Sequence, residues 1–214
     1  MNERLTEIVY ILDRSGSMTG LEKDTIGGYN GFLEKQKSEE GDAVVTTVLF
    51  DDKYELVHDR VDIKKISPLT EREYYARGMT ALLDAVGKTI KSVEQRHRSA
   101  IDSEVPGKTI FVITTDGQEN SSREYTAHQI KSMIETLKKE REWEFLFLGA
   151  NIDAVDVAAK YGIDKDRSVK YCADEAGTEL NFNAIHNVVS DMRARRPVAS
   201  GWKKNIESYE KRKK

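Results

Sequence analysis

The stretch Ile8-Val9-Tyr10-Ile11-Leu12-Asp13-Arg14-Ser15-Gly16-Ser17-Met18 decides the fold. An apolar, β-branched run ends abruptly at an aspartate, as a short buried strand does when it meets a loop. Three oxygen-bearing side chains then follow at alternate positions: Asp13, Ser15 and Ser17. Gly16 stands between the serines, where the backbone bends most easily. Alternate residues of an extended or gently curled loop point the same way, so a carboxylate and two hydroxyls converge on one point. Hard oxygen donors of this kind suit a hard cation such as Mg²⁺ rather than a thiophilic metal.

The pattern repeats further along. Ile110-Phe111-Val112-Ile113 is a second buried run, and it leads through Thr114 and Thr115 to Asp116 and Gly117. Between the two aspartates, Gly78-Met79-Thr80 precedes a helix whose Leu82, Leu83, Val86, Ile90 and Val93 recur at helical spacing. Strands are expected over 5–12, 43–50, 53–61, 108–115, 143–148 and 167–172. Helices are expected over 23–38, from 80, over 126–141, 153–161 and 179–193. The strands at 43–50 and 53–61 form a hairpin around Asp51-Asp52, the second on an edge. Alternation of strand and helix predicts an α/β fold, a doubly wound and mainly parallel sheet with one antiparallel edge strand and helices on both faces. Ligands of such sheets bind beyond the carboxyl ends of the strands, where strand order reverses. If the strands before Asp13 and Asp116 are neighbours, the two carboxylates meet there. Gly27, Gly28 and Gly31 in the first helix imply either close backbone packing against the sheet or an irregular helix start.

These segments together resemble a von Willebrand factor type A domain with its metal-ion-dependent adhesion site. Asp13-Arg14-Ser15-Gly16-Ser17 matches the family's Asp-x-Ser-x-Ser, Gly78-Met79-Thr80 its distant threonine, and Thr114-Thr115-Asp116-Gly117 its distant aspartate. The resemblance runs from about Leu5 to Met192 and extends to bacterial and phage-like members. It implies that Asp13, Ser15, Ser17, Thr80 and Asp116 hold Mg²⁺, with Mn²⁺ or Ca²⁺ as alternatives. Hydroxyls would bind directly and the carboxylates partly through water. It further implies a protein-binding module, not an enzyme, in which the metal accepts a Glu or Asp carboxylate from a partner protein.

Taken singly, each residue has a plainer reading. Ser15 and Ser17 are turn formers, Asp13, Asp116 and Thr80 are helix caps, and Asp51-Asp52 is a hairpin turn. The five in order outweigh those readings. Tyr74, Tyr75 and Arg77 are candidates for the site's rim. Gln118, Glu119, Asn120, Asn151 and Asp153 are polar loop residues near the same edge. Cys172 is a small buried apolar residue, and His58, His97, His128 and His186 form no zinc motif.

The chain has 214 residues, 33% of them charged, and a net charge of −3. Residues 193–214 hold nine basic and two acidic side chains, +7, which leaves −10 for the rest. The expected division is a domain over 1–194 and a basic tail over 195–214. A solvated tail is the plainer reading, nucleic-acid binding the sharper one. Trp202 packs on its own domain or stacks on a base. No run approaches the roughly 20 apolar residues of a membrane helix. A polar, acid-bearing start and one cysteine lead to the expectation of a cytoplasmic protein. A Mg²⁺-dependent phosphohydrolase is the competing class. Against it, the position two residues after Asp13 is Ser15 rather than a second carboxylate, and no Walker loop or G-x-S-x-G turn occurs.

Overall fold

The computed structural model describes residues 1–213. Six strands form one sheet: β1 (Asn2–Asp13), β2 (Asp42–Phe50), β3 (Tyr54–Asp62), β4 (Pro106–Thr115), β5 (Glu144–Ala150) and β6 (Ser168–Tyr171). Their order is β3-β2-β1-β4-β5-β6. All pairs are parallel except β2 with β3, which is antiparallel and places β3 on an edge, as expected. The chain leaves β1 toward β2 and β3, then crosses to β4 and continues the other way. The reversal of strand order falls between β1 and β4, the place where such sheets bind ligands.

Helices α1 (Glu22–Lys37), α2 (Leu82–Ser99), α3 (Ala127–Arg141), α4 (Ala154–Lys160), α5 (Glu175–Arg193) and α6 (Lys204–Lys213) cover the sheet. Alternation along β1 sorts its side chains into two cores. Ile8, Tyr10 and Leu12 pack with α1 and α5 through Phe32, Leu33, Ile185 and Val189. Val9 and Ile11 pack with α2, α3 and α4 through Val86, Ile90, Ile134 and Ala158. Burial on both faces explains why β1 and β4 are apolar without a break.

Three expectations are corrected. Helix α5 starts at Glu175, four residues before the predicted 179, with Asp174 accepting from Gly177 N at 2.8 Å. Gly177 weakens the helical signal, yet its bare Cα is what lets this turn lie against the Cys172 carbonyl. The glycines of α1 do not face the sheet. A Cβ on Gly28 would enter the Phe182 ring of α5, whereas one on Gly27 or Gly31 would meet nothing within 4 Å. Beyond Arg196, where Pro197 and Gly201 interrupt the pattern, the chain turns back and forms α6. Ile206 of α6 is buried, Trp202 Nε1 donates to Asp166 O at 2.9 Å, and Lys203 Nζ donates to Lys165 O at 2.9 Å and Ser168 O at 3.1 Å.

Candidate metal centre

Parallel pairing sets Leu12 beside Thr114, so the two strands end together and deliver Asp13 and Asp116 to one crevice. Both are buried, at 1% and 2% exposure. The first loop curls through a short 3₁₀ turn at Gly16–Met18. That curl brings Ser15 Oγ and Ser17 Oγ to 3.0 Å from each other, and Ser17 Oγ donates to Asp116 Oδ1 at 2.6 Å. Thr80 reaches the same spot from a third loop. A Cβ placed on Gly117 would lie 3.0 Å from Ser17 Oγ, 3.1 Å from Thr80 Oγ1 and 3.8 Å from Ser15 Oγ. Three hydroxyls therefore surround one small space, which glycine leaves open. All five predicted residues are brought together.

Each is held from behind. Asp13 Oδ2 accepts from Thr115 Oγ1 at 2.5 Å and Oδ1 from Ser15 N at 2.7 Å. Asn120 grips Thr80 at both ends of its backbone: its Oδ1 accepts from Thr80 N at 2.9 Å and its N donates to Thr80 O at 3.1 Å. Glu119 accepts from Ser121 N, Ser122 N and Leu83 N, shaping the loop around Asn120. Burial pushes the Asp13 carboxyl up to about 6, against the bonds from Thr115 and Ser15 and with the nearby Asp116 charge adding to the rise. Burial also raises Asp116, opposed by Ser17. Asp116 Oδ2 is buried and makes no hydrogen bond. Leaving a carboxylate oxygen both desolvated and unpaired costs free energy unless a cation supplies the missing interaction.

The serine loop and the Thr80 loop are fastened to each other by charge. Arg14, inside the serine loop, is fully buried. Its Nε donates to Asp51 Oδ2 at 3.0 Å, its Nη2 to Glu55 Oε2 at 2.6 Å and its Nη1 to Glu73 O at 2.9 Å. Arg77, three residues before Thr80, donates through Nε to the same Asp51 Oδ2 at 2.7 Å. Ala81 N, one residue after Thr80, donates to Asp51 O at 2.9 Å. Backbone bonds from Arg77 N to Arg14 O at 2.8 Å and from Gly16 N to Gly78 O at 3.1 Å complete the join. Asp51 is thus no plain turn residue. Sequence reading missed it because its partners are 37 and 26 residues away. Tyr74, expected on the rim, is instead buried, and its hydroxyl donates to Asp13 O at 2.5 Å. Tyr75 does stand on the surface, at 42% exposure.

Elsewhere the described residues hold no group of three or more His, Cys, Asp or Glu placed to bind a metal. Most cations near the basic end are engaged within the fold. Arg193 donates to Gln36 O, Arg195 to Glu3, Arg196 pairs with Asp191 and Lys213 with Asp174. No helix among the described residues is long and apolar enough to cross a membrane.

No protein-family model matches the chain, and no curated protein matches it. Solved structures do. Proximal thread matrix protein 1 from the mussel byssus, determined with a zinc-occupied MIDAS motif, is 13% identical over 89% of this chain and 47% of its own, with a TM-score of 0.59. VWA2, an ArnB paralogue from Sulfolobus acidocaldarius, is 17% identical over 87% of this chain and 45% of its own, with a TM-score of 0.57. The manganese-loaded TRAP protein of Plasmodium vivax is 17% identical over 85% of this chain and 74% of its own, with a TM-score of 0.59. The chain spans about half the length of the first two. The six-stranded sheet, its order, the helices on both faces and these likenesses agree: the chain has the fold of the von Willebrand factor type A domains.

Proposed function

We propose that the chain is a metal-dependent protein-binding module. Ser15, Ser17 and Thr80 would hold a divalent cation through their hydroxyls, with Asp13 and Asp116 supplying the balancing charge. The observation that carries this reading is the convergence of three hydroxyls on the space beside Gly117, next to a buried Asp116 oxygen that lacks any hydrogen-bond partner. Two carboxylates and three hydroxyls are a hard, oxygen-only set, which favours Mg²⁺ or Mn²⁺ over softer metals. The zinc and manganese found in the mussel and Plasmodium proteins support a divalent ion in this fold.

A cation bound here supplies a Lewis-acidic centre for an incoming carboxylate. The protein's own residues do the rest. Thr115 and Ser15 N fix the Asp13 carboxylate, Asn120 aims Thr80, and Ser17 orients Asp116. Asp13 and Asp116 roughly balance a 2+ charge; a Glu or Asp side chain from a partner protein would take a coordination position that the five side chains leave, and metal and partner then raise each other's affinity by the same factor. Binding rather than hydrolysis is favoured by the place two residues after Asp13, where Mg²⁺ phosphohydrolases often carry an acid–base carboxylate. Here it is Ser15, bonded to Ser17. Capture of a partner from a native extract on the immobilised chain is expected in Mg²⁺ and lost in EDTA and in Asp13→Ala. Capture indifferent to both, or phosphatase activity that needs Mg²⁺ and Asp13, would refute the reading.

A further inference from the structure

Among the described residues five large apolar side chains are exposed: Met1, Leu56, Tyr75, Met79 and Ile101. Two of them, Tyr75 at 42% and Met79 at 51%, sit on the short segment that leads into Thr80. They bracket Gly78, whose carbonyl accepts from Gly16 N of the serine loop at 3.1 Å. The segment therefore runs directly along the proposed metal centre.

The Tyr75 ring is held in place rather than loose. Arg77 lies over the Tyr75 ring at 5.0 Å and Arg14 at 5.6 Å, and Arg77 Nη1 donates to the Tyr75 hydroxyl at 2.7 Å. Cation–π contacts and that bond fix the ring before any partner arrives, so little side-chain entropy remains to be lost. Both guanidiniums are already matched by Asp51 and Glu55. The two arginines beside Tyr75 therefore offer no unspent positive charge for a second acid. Met79 also lines a cleft of about 700 Å³, shared with Ala81 and Ala85 and edged by Lys53, Asp84 and Arg123, with room for a side chain.

We infer that the partner presents its ligating Glu or Asp next to an aromatic or long aliphatic side chain, which seats on Tyr75 and Met79. Rigid aromatic and Met anchors beside a polar centre are where interfaces concentrate their energy. The inference rests on the metal-centre reading above and adds a specificity element to it.

Selection of random linear peptides on the full chain in Mg²⁺, released with EDTA, tests it. The expected peptides carry Asp or Glu adjacent to Phe, Tyr, Trp, Leu or Met. A synthetic copy, titrated at saturating Mg²⁺, binds Met79→Ser and Tyr75→Ser about tenfold more weakly. It binds Ile101→Ser, altered at a distant exposed site, as it binds the unaltered chain. Acidic peptides without an apolar neighbour, or undiminished binding by both rim variants, overturn the inference and leave the metal reading standing. Peptides retained equally in Mg²⁺ and EDTA overturn both. Mg²⁺-dependent self-association that excludes the peptide assigns the surface to a second copy and likewise overturns it.

Discussion

Replacing Asp51 with Asn tests whether the turn between β2 and β3 holds the site together. Asp51 is fully buried, and its carboxylate receives Arg14 Nε, Arg77 Nε and Lys53 N. Asn offers one acceptor oxygen in place of two. Turned toward the arginines it loses the Lys53 bond, and turned away it loses both guanidiniums. Arg14 keeps Glu55 and the Glu73 carbonyl, so its charge is not abandoned. The loss then falls at the low end of what a broken buried ion pair costs, about 3 kcal/mol. For a chain of this size that is roughly 6–12 °C in Tm. Loosening the bonds that join the loops of Ser15 and Thr80 also lowers Mn²⁺ affinity by about tenfold, as loss of a supporting contact does at metal sites. Burial works to raise the Asp51 carboxyl, but Arg77, Lys53 N and Arg14 outweigh it and hold it below its ordinary 3.8. Its stabilisation is therefore present above pH 3.8 and disappears as pH falls through the lower folded value. The Tm gap between Asp51→Asn and the unaltered chain should narrow in that acid range. Thermal melts across pH and Mn²⁺ titration by electron paramagnetic resonance measure both effects. Asp52→Asn is the control for charge alone, because Asp52 lies against Gly78 yet bonds neither arginine. Equal losses of Mn²⁺ affinity in the two variants would show that Asp51 acts only through its charge, and no loss in Asp51→Asn would remove it from the site altogether.

Other substitutions probe the frame. Gly28→Ala drives a methyl into Phe182 and should cost about 1–3 kcal/mol in urea melts, whereas Gly27→Ala and Gly31→Ala, open to solvent, should each gain up to about 1 kcal/mol. The opposite order would mean that α1 and α5 do not meet there. Glu7 is buried against His97 at 2.7 Å and Arg96 at 3.2 Å. Burial raises its carboxyl, yet His97, Arg96 and Arg60 together hold it below the usual 4.5. Glu7→Gln should cost about 3 kcal/mol at neutral pH, with the difference vanishing as pH drops below 4.5; a pH-independent difference contradicts the pairing. Ile206→Ala should cost about 2–4 kcal/mol if α6 is part of the folded body, and next to nothing if residues beyond 196 hang free.

Much of the fold could be read from the chain because buried parallel strands leave an unmistakable trace: Ile8 to Leu12 and Ile110 to Ile113 are apolar on both faces, and each leads to an aspartate. That made the meeting of Asp13 and Asp116 foreseeable, along with the place of Ser15, Ser17 and Thr80. What stayed hidden was held by contacts distant in sequence. An arginine within a loop suggests solvent, and only the approach of Asp51 and Glu55 makes a buried Arg14 tolerable. Tyr74 looked like a rim residue because a tyrosine carries no mark of whether its hydroxyl finds a buried carbonyl. Asn120 gave a weak clue, a polar residue near Asp116, but its grip on Thr80 spans 40 residues. Helix α6 was obscured by charge, since Ile206 alone among its residues is buried.

Titration of the metal-free chain with Mn²⁺, followed by electron paramagnetic resonance, addresses the metal centre most directly. One ion per chain should bind, with water retained in its shell, displaced by excess Mg²⁺ and removed by EDTA. Asp13→Ala, Thr80→Ala and Asp116→Ala should each weaken it by an order of magnitude or more. Free Mn²⁺ unchanged by the protein, or binding that all three substitutions leave intact, contradicts a cation held by the serine loop, Thr80 and Asp116.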